Sequence, residues 1–488
     1  MQSVLLVLLY LIAPAQALLP VDDPDIWWHL RTGQWIIENG WVPATDPFSS
    51  YGAGRPWVAY SWLFEILVYG LYSKLGLTGL VLFTVIGSLI ITAALHLLVR
   101  RASLPFTAEV AITAVGLFCL KPVLTPRPWL FSILFFILVS HIVFAARTAG
   151  NVRRLYFLPV IFLLWANLHV QFIYGLALLL FLSAEALIGR LFQPGPGSAH
   201  TESIPFGRLL TLTILSAAAT LLTPYHIHLY YGPIREYAVQ TSVFQNIQEF
   251  HPMFFRSPED WLVLALALGA TFILGWRRET RLFPYLLLAT GTFLAFRARR
   301  DVWVLVVAAL AILGERQMTA TSQDDATFTA RRLMPVAAGI ILSLVALGYY
   351  RNLSETNLTS HVARTFPADA VNFIKNNGEA GPLYNHLDWG GYLIWALPEI
   401  PVGMDGRTNL QGEERIERSL ATWSGYAGWE VDPELRQARL IIADIHRPLT
   451  FLLRTDPRFR LVYRDEVTAV FVANRSETHR GNDSPPRR

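Results

Sequence analysis

Acidic, basic and aromatic side chains crowd one short stretch near the N-terminus. Residues 23–40, DPDIWWHLRTGQWIIENG, combine carboxylates with a histidine, an arginine and three tryptophans. Asp25 and His29 are spaced so that a helix would place both on one face, within reach of a common ligand. A carboxylate in such a place can serve as a general base or hold a divalent metal ion.

The same stretch also has a structural interpretation. Asp23 followed by Pro24 is typical of the start of a helix, and Trp27 and Trp28 suit a membrane interface. Capping and anchoring would explain these residues without any chemistry. Both interpretations therefore stay open at this point.

Two later segments add charged groups. The segment QNIQEFHP contains Glu249, which either belongs to a site or is simply solvated. The segment FRARRD contains Arg297, Arg299, Arg300 and Asp301. Three neighbouring guanidiniums favour the binding of a phosphate or diphosphate through forked hydrogen bonds. In the alternative, Asp301 pairs with one arginine while the others reach lipid headgroups.

The composition places these groups in a membrane protein. Hydrophobic residues make up 53% of the chain and charged residues only 16%, which is too little polar surface for a protein dissolved in water. The net charge of +4 is small and does not indicate a nucleic-acid partner. A spanning helix needs about 20 mostly apolar residues. We predict about eleven spans, near residues 3–19, 77–99, 105–121, 128–146, 155–170, 172–190, 208–223, 260–276, 282–296, 302–314 and 333–350.

Two segments leave open the number of membrane spans and whether the N-terminal segment is retained. Residues 61–74 form either an amphipathic helix at the membrane surface or a twelfth span. Residues 1–19 end in a small-residue A-Q-A sequence and are either a retained first helix or a cleaved signal peptide.

The distribution of arginines predicts the orientation. Arginines collect on alternate loops, which are therefore predicted to be cytoplasmic, as is the N-terminus. Residues 20–58, residues 224–259 and the chain beyond about 352 then lie on the far side, periplasmic or extracellular. The FRARRD arginines lie on that far side as well, where this rule predicts few. The predicted cytoplasmic arginines are Arg100, Arg101, Arg147, Arg153, Arg154, Arg190, Arg208, Arg277, Arg278, Arg281, Arg316, Arg331 and Arg332.

The domain organisation follows from a change in composition near residue 351. Residues 1–351 are predicted to form a polytopic α-helical membrane domain that includes the loops 20–58 and 224–259. Residues 352–475 read as a small α/β domain, with strands in GPLYNHL, IPVGMDG, ARLIIADI, FRLVYRD and TAVFVAN and helices in PADAVNFIKNN and GEERIERSLATW. Residues 476–488 are predicted to be a disordered tail.

The sequence lacks the motifs of several common enzyme classes. The sequence contains no Walker A loop, no G-x-S-x-G elbow, no zinc-type spacing of Cys and His and no dinucleotide fingerprint. Carboxylates, arginines and aromatic residues in a membrane frame are what remains. This set suits chemistry on a phosphorylated lipid.

The order of these segments resembles the GT-C superfamily of membrane glycosyltransferases, and within it the catalytic subunit of oligosaccharyltransferase. Residues 25–31, DIWWHLR, resemble the family's first-loop motif, and Asp25 falls on its catalytic, metal-binding aspartate. NIQEFHP places Glu249 at the family's later acidic position, and HLDWGGYLIW resembles its W-W-D-Y-G element. The chain also resembles bacterial proteins described as dolichyl-phosphate-mannose-protein mannosyltransferase-like. The family's second acidic pair is not found in the corresponding segment, KPVLTPRPW.

The resemblance implies a function and a distribution of roles. It implies transfer of a sugar from a polyprenyl-phosphate or polyprenyl-diphosphate donor to a glycan, lipid or protein acceptor, at the outer face of a bacterial inner membrane. Asp25 and Glu249 would be catalytic, and Asp25, Glu249 and Asp46 would bind Mg²⁺ or Mn²⁺. The phosphate would be held by Arg297, Arg299 and Arg300. His29, Arg31, Asp388 and Trp389 would contact the acceptor or support the site, and Asp25, Glu249 and the arginines should converge on one cavity.

Other interpretations remain beside this one. Asp405 and Arg407 are candidates for an acceptor-facing surface, but the segments DWGG and MDGR also read as turns that end strands. Asn167, His169 and Gln171 either line the same cavity or satisfy backbone groups at a helix junction. The alternative functions are a metal-independent O-antigen ligase or polymerase, a transporter of lipid-linked intermediates, and an envelope-assembly scaffold.

Overall fold

The computed structural model describes residues 1–149, 152–192, 204–234, 245, 247–315 and 330–474. The predicted tail and part of the 224–259 loop lie outside these residues. The chain divides into two compact units. Among the described residues, the helical unit falls within Met1–Val21, Tyr60–Arg235 and Val243–Ser354, and the mixed unit falls within Asp22–Ala59 and Glu355–Arg488. Residues 22–59, which we assigned to the membrane domain, group with the C-terminal segment instead.

Helices dominate the described residues. The longer helices are α1 (Gln2–Ala17), α2 (Ile26–Asn39), α3 (Trp62–Arg100), α4 (Phe106–Cys119), α5 (Trp129–Ala149), α6 (Leu158–Leu168), α7 (Phe172–Phe192), α8 (Phe206–Ala219), α9 (Pro258–Trp276), α10 (Leu282–Arg297), α11 (Val302–Leu313), α12 (Ala330–Tyr350), α13 (Glu355–Thr365), α14 (Ala368–Asn377), α15 (Leu387–Ala396) and α16 (Glu413–Trp423). Shorter helical turns include Lys121–Val123, Val152–Phe157, Tyr230–Ile234, Gln248–Phe250, Arg299–Asp301, Thr408–Gln411, Trp429–Val431, Pro433–Gln437 and Pro448–Leu453.

Each of the eleven predicted spans falls on a helix of the helical unit. Among the described residues, α3, α5, α7 and α9 are long and apolar enough to cross a membrane. Helices α1, α4, α8 and α10 are apolar but shorter. The helical unit therefore has the composition and the helices of a multi-pass membrane protein.

Helix α11 is the centre of the helical unit. Its sequence, VWVLVVAALAIL, carries no polar face, and every residue from Val302 to Ile312 is buried. A helix that is apolar on all sides must be surrounded by other apolar surfaces. Helices α3, α4, α5, α9 and α10 supply them. At Gly291 of α10 a Cβ would lie about 3.0 Å from the α11 backbone at Leu305, so this close approach favours glycine.

Helix α3 is interrupted at Gly76. Its backbone there has φ 60° and ψ −147°, a conformation that side chains with a Cβ rarely adopt. The interruption separates residues 62–75 from 77–100. It falls at the boundary that we predicted between the 61–74 segment and the 77–99 span.

The mixed unit contains a four-stranded sheet. Its strands are β1 (Leu383–Asn385), β2 (Leu440–Asp444), β3 (Phe459–Arg464) and β4 (Thr468–Ala473), in the order β1-β2-β4-β3. β1 pairs in parallel with β2, and the β2–β4 and β3–β4 pairs are antiparallel. Both predicted helices also form, as α14 and α16. The core on this sheet includes Ile441, Phe471, Tyr384 and Trp423.

The predicted strand in IPVGMDG is wrong. Val402 makes only an isolated bridge with Ser49. Val402 N donates to Phe48 O at 3.1 Å, and Ser50 N donates to Val402 O at 3.0 Å. The backbone hydrogen bonds of Val402 therefore go to the first loop, while Gly403 and Met404 bond to the side chain of Asn385 at the end of β1 and do not pair as a strand.

A buried ion group joins the first loop to the C-terminal segment within the mixed unit. Arg407 Nη1 donates to Asp46 Oδ1 at 2.6 Å, and Arg407 Nη2 donates to Asp405 Oδ2 at 2.8 Å. The three side chains are almost fully buried, and the guanidinium also lies 4.6 Å from the ring centre of Trp57. Burial alone would lower the pKa of Arg407, but the two carboxylates raise it, so the guanidinium stays charged.

We expect Arg407→Ala to lower the free energy of unfolding by about 3–5 kcal/mol, because it leaves two buried carboxylates without their cation. Denaturant unfolding of the full chain in detergent, followed by tryptophan fluorescence, measures this loss. The control is Arg447→Ala, which removes a half-exposed ion pair with Asp388 and should cost less than about 1 kcal/mol. Equal losses for the two variants would contradict the structural role of Arg407.

Candidate functional site

Two arginines meet one carboxylate in the helical unit. Arg300 Nη1 lies 3.3 Å from Glu249 Oε1, and Arg127 Nη2 lies 3.9 Å from Glu249 Oε2. We call these three residues the arginine cluster. The side chains of Arg127 and Arg300 are 13% and 14% exposed and that of Glu249 is 29% exposed, so part of the cluster is accessible.

The backbone brings two distant segments together at this cluster. Ala298 is extended, with φ −147° and ψ 122°, and so ends α10 at Arg297 and starts the short turn Arg299–Asp301. Arg299 N donates to His251 O at 3.0 Å, next to the turn Gln248–Phe250 that carries Glu249. The position of Arg300 relative to Glu249 is therefore fixed by the main chain.

Aromatic rings orient the two guanidiniums. Arg300 lies 4.3 Å from the ring centre of Phe250, and Arg127 lies 5.0 Å from that of Trp129. Trp129 is itself held by a hydrogen bond from Nε1 to Val123 O at 2.7 Å. A guanidinium stacked on a ring keeps its edge N–H groups available for a planar, forked contact with an anion.

Asp301 lies next to Arg300 in the chain and does not form an ion pair with an arginine among the residues that the structure describes. The carboxylate is buried and accepts a hydrogen bond from Gln171 Nε2 at 3.2 Å. Burial raises the pKa of Asp301, although the charge of Arg300 and the nearby Tyr174 hydroxyl oppose the rise. In the described ranges Asp301 forms no ion pair, so the prediction that it neutralises one of the arginines is wrong.

Of the predicted phosphate-binding residues, Arg300 belongs to the cluster. Arg299 contributes a backbone hydrogen bond, Arg297 is exposed at the end of α10, and phosphate binding by these two stays a prediction. The sequence does not predict a role for Arg127, which lies in KPVLTPRPW, where the family's acidic pair is not found. The feature that could have indicated it is an arginine between two prolines, two residues before a tryptophan. Gln171, for which the sequence leaves two roles open, donates a hydrogen bond to Asp301.

Asp25 lies in the mixed unit and is not used as a helix cap. It occupies the N-cap position of α2, but its side chain makes no capping hydrogen bond. Asp23 Oδ1 instead accepts from Asp25 N at 2.9 Å. The Asp25 carboxylate points at Gly406, where a methyl group would overlap Oδ1. Capping by the side chain therefore does not account for Asp25.

The tryptophans beside Asp25 are not membrane anchors. Trp27 and Trp28 are buried within the mixed unit. Trp27 packs edge-on against Phe366 and Tyr392, with ring centres 5.7 and 5.2 Å away. The anchoring prediction is wrong because the first loop supplies part of a folded core.

The supporting residues of the first loop pack locally. His29 is buried, with its ring centre 3.6 Å from that of Trp28. Arg31 Nη1 lies 3.9 Å from Glu38 Oε2 along α2. Asp22 contacts His361 and not Arg31. Their acceptor-contacting or supporting roles stay predictions.

Two of the three predicted metal ligands, Asp46 and Glu249, already have charged partners. Asp46 Oδ1 accepts from Phe48 N and Arg407, and Oδ2 accepts from Ser49, so Asp46 is committed to the buried ion group. Glu249 faces two guanidiniums, whose charge opposes a nearby metal ion. Within the described part of the chain, no three His, Cys, Asp or Glu side chains converge to hold a metal. Binding of Mg²⁺ or Mn²⁺ by Asp25 remains a prediction.

The DWGG segment begins a helix. Its residues open α15, so the prediction that it is a turn ending a strand is wrong. Asp388 is exposed and lies 3.1 Å from Arg447, and Trp389 is buried. Although the surrounding protein atoms partly desolvate the carboxylate and oppose the effect, contact with His386 and the charge of Arg447 lower the pKa of Asp388, which keeps the carboxylate ionised. Its role toward an acceptor stays a prediction.

The MDGR segment belongs to the protein interior. Asp405 and Arg407 are both buried in the ion group described above. The prediction that they form an acceptor-facing surface is therefore wrong.

Comparison with known proteins gives matches only at the level of structure. No protein-family model and no curated protein sequence matches the chain. The archaeal oligosaccharyltransferase AglB from Archaeoglobus fulgidus, in complex with an inhibitory peptide and a dolichol-phosphate, matches with a TM-score of 0.55 and 12% identity. That match covers 91% of this chain and 69% of AglB.

Two further solved structures are similar over nearly the whole chain. ArnT from Cupriavidus metallidurans, bound to undecaprenyl phosphate, gives a TM-score of 0.50 and 14% identity over 97% of this chain and 98% of its own. The arabinofuranosyltransferase AftD from Mycobacteria gives 0.50 and 12% over 97% of this chain and 40% of its own. All these proteins are GT-C membrane glycosyltransferases, and identities this low report on the fold. The chain therefore has the GT-C fold that the order of its motifs predicted.

Proposed function

We propose that this protein transfers a sugar from a polyprenyl-phosphate or polyprenyl-diphosphate donor to an acceptor at the membrane surface. The observation that carries the proposal is the arginine cluster, in which Arg127 and Arg300 converge on Glu249 in a GT-C fold. ArnT is bound to undecaprenyl phosphate and AglB to a dolichol-phosphate, so proteins of this fold hold such lipids.

The cluster suits a phosphate because of its geometry and its access. Arg127 and Arg300 present guanidiniums that are fixed by ring faces and still reach solvent. Charge-assisted hydrogen bonds from guanidinium to phosphate are among the strongest in proteins. Glu249 would balance these charges while the site is empty, and the donor phosphate would then share or replace its contacts.

The reaction follows from this placement of charge. The acceptor hydroxyl or amide attacks the anomeric carbon, the bond from that carbon to the phosphate oxygen breaks, and its electron pair leaves with the polyprenyl phosphate. Arg127 and Arg300 would stabilise the negative charge that develops on the leaving phosphate. Asp25 would accept the proton of the acceptor or orient it. Asp25 belongs to the mixed unit and the cluster to the helical unit, so their convergence stays a prediction.

No step in this mechanism passes through a metal ion. Glu249 is paired with guanidiniums and Asp46 is committed to Arg407, so neither is an available ligand. The pairing of Glu249 also favours a second candidate, a metal-independent ligase or polymerase that acts on lipid-linked glycans. That enzyme class does not require Asp25, and the two candidates are therefore separable by substitution.

We propose that the protein lies in a bacterial inner membrane, with its N-terminus in the cytoplasm and its C-terminal segment in the periplasm. Two arginines predicted to be cytoplasmic lie where α5 ends and α10 begins, and both are paired: Arg147 contacts Glu185, and Arg281 contacts Glu279 at 2.7 Å. The cluster lies at the other ends of α5 and α10, next to Trp129 and Arg297. Placing the paired arginines in the cytoplasm would put the cluster at the outer face.

We expect Arg300→Gln and Arg127→Gln each to weaken the binding of undecaprenyl phosphate by roughly 10- to 100-fold, because each removes a charged hydrogen bond to the phosphate. Isothermal titration of the full chain in lipid nanodiscs measures the Kd. The control is Arg299→Gln, because in the described residues the Arg299 side chain forms no ion pair with Glu249, and this variant should bind within about threefold of the parent protein. Unchanged binding by both cluster variants would mean that these arginines do not bind the phosphate and have a structural role.

We expect Asp25→Asn to abolish sugar transfer and to leave undecaprenyl phosphate binding unchanged, because the carboxylate would act on the acceptor and not on the phosphate. Consumption of lipid-linked sugar by membranes that contain the variant measures transfer. Glu38→Gln, on the exposed side of the same helix, is the matched control and should remain active. Transfer at the normal rate by the Asp25→Asn variant would instead favour the ligase or polymerase candidate.

We expect Gly406→Ala to reduce transfer nearly as strongly as Asp25→Asn, because the new methyl group would displace the Asp25 carboxylate. The same transfer assay measures this loss. Gly207→Ala is the control, since a Cβ there meets no atom within 4 Å. Full activity of the Gly406→Ala variant with an unchanged melting temperature would mean that the position of Asp25 is not important for the reaction.

A further inference from the structure

A buried histidine stands beside the arginine cluster with no assigned role. His169 lies in the short link between α6 and α7 and is 3% exposed. Two residues further along, Gln171 donates to Asp301, the neighbour of Arg300. The link that carries His169 therefore contacts the turn that carries Arg300.

Hydrogen bonds define the tautomer of this histidine. Trp165 Nε1, which can only donate, donates to Ser132 Oγ at 2.8 Å. Ser132 Oγ also lies 2.8 Å from His169 Nδ1. Among the described residues Ser132 has no other hydrogen-bond partner, so its single proton is used only if it is donated to Nδ1. His169 Nδ1 is then an acceptor, and the ring carries its proton on Nε2.

The surroundings keep this ring uncharged. Burial lowers the pKa of His169 well below its usual value, and the charges of Arg300 and Arg127 lower it further. A neutral imidazole with its proton on Nε2 offers one N–H donor on the side of the ring opposite Ser132. Within the part of the chain that the structure describes, Nε2 meets no hydrogen-bond partner.

We propose that His169 binds the phosphate of the lipid-linked donor through its Nε2–H group, while Ser132 and Trp165 hold the ring in the required tautomer. The proposal rests on the proposed function of the arginine cluster. A neutral donor adds a directed hydrogen bond without adding another positive charge beside two guanidiniums. His169 is thus a binding residue, and Ser132 and Trp165 are positioning residues.

Two substitutions separate the two ring nitrogens. The amide nitrogen of glutamine reaches roughly the position of Nε2, and that of asparagine roughly the position of Nδ1. His169→Gln should therefore bind undecaprenyl phosphate within about threefold of the parent protein. His169→Asn retains the contact with Ser132 and should bind at least about tenfold more weakly.

The measurement uses the full chain in nanodiscs, with undecaprenyl phosphate as the probe and undecaprenol, which lacks the phosphate, as the reference lipid. Undecaprenol binding should be the same for all variants. The exposed His446→Gln is the matched control and should bind both lipids like the parent protein. Melting temperatures are recorded beside each Kd. If His169→Gln binds like His169→Asn, the proposal is overturned, whether both bind strongly or both bind weakly.

The tautomer is tested independently of any folding defect in the variants. In protein labelled with ¹⁵N-histidine, the resonances of His169 are those that disappear in His169→Gln. They should report a neutral ring with a protonated Nε2, and Ser132→Ala should change the tautomer. A protonated Nδ1 in the parent protein overturns the proposal.

Failure of this proposal is distinguishable from failure of the proposed function. If the parent protein does not bind undecaprenyl phosphate, or Arg300→Gln does not weaken binding, the function of the cluster is wrong. If Arg300→Gln weakens binding but His169→Gln and His169→Asn behave alike, only the role of His169 is wrong.

Discussion

The structure depends on how a very apolar chain accommodates guanidiniums away from water. A buried charge must be matched by an opposite charge and by hydrogen bonds, or it costs several kcal/mol. This chain repeats one solution, in which a carboxylate approaches the guanidinium edge and an aromatic ring covers its face. Arg407 has Asp46 and Trp57, Arg147 has Glu185 and Phe283, and Arg300 has Glu249 and Phe250.

These arginines differ in how completely their ion pairs are shielded from solvent. Arg407 and its two carboxylates are sealed from solvent, and the hydrogen bonds are short and complete, as expected for a structural support. Arg127, Arg300 and Glu249 use the same contacts with longer distances and partial exposure. The same chemistry is thus closed where it holds the first loop in place and partly exposed at the arginine cluster. The difference lies in packing and not in residue type, which is why composition alone does not reveal it.

The sequence predicts features that depend on local pattern. Apolar runs located the helices of the helical unit, the interruption at Gly76 and four of the five strands. Arg300 was found because topology made its charge unexpected. Arg127 was missed because it lies between two prolines, outside any helical or strand pattern of apolar residues. Its partner Glu249 is also more than a hundred residues away in the chain. The grouping of residues 22–59 with the C-terminal segment is not visible in the sequence for the same reason, since the hydrogen bond from Ser50 to Val402 spans most of the chain.

The origin of the mixed unit in two distant segments has a consequence for synthesis. Residues 22–59 leave the ribosome early, and the faces of Phe366 and Tyr392 that cover Trp27 are made more than three hundred residues later. Between these events the first loop lacks the two rings against which Trp27 packs in the finished unit. The unit that carries Asp25 thus completes its folding only at the end of translation, so any chain that stops before residue 355 lacks the core on which Asp25 is positioned.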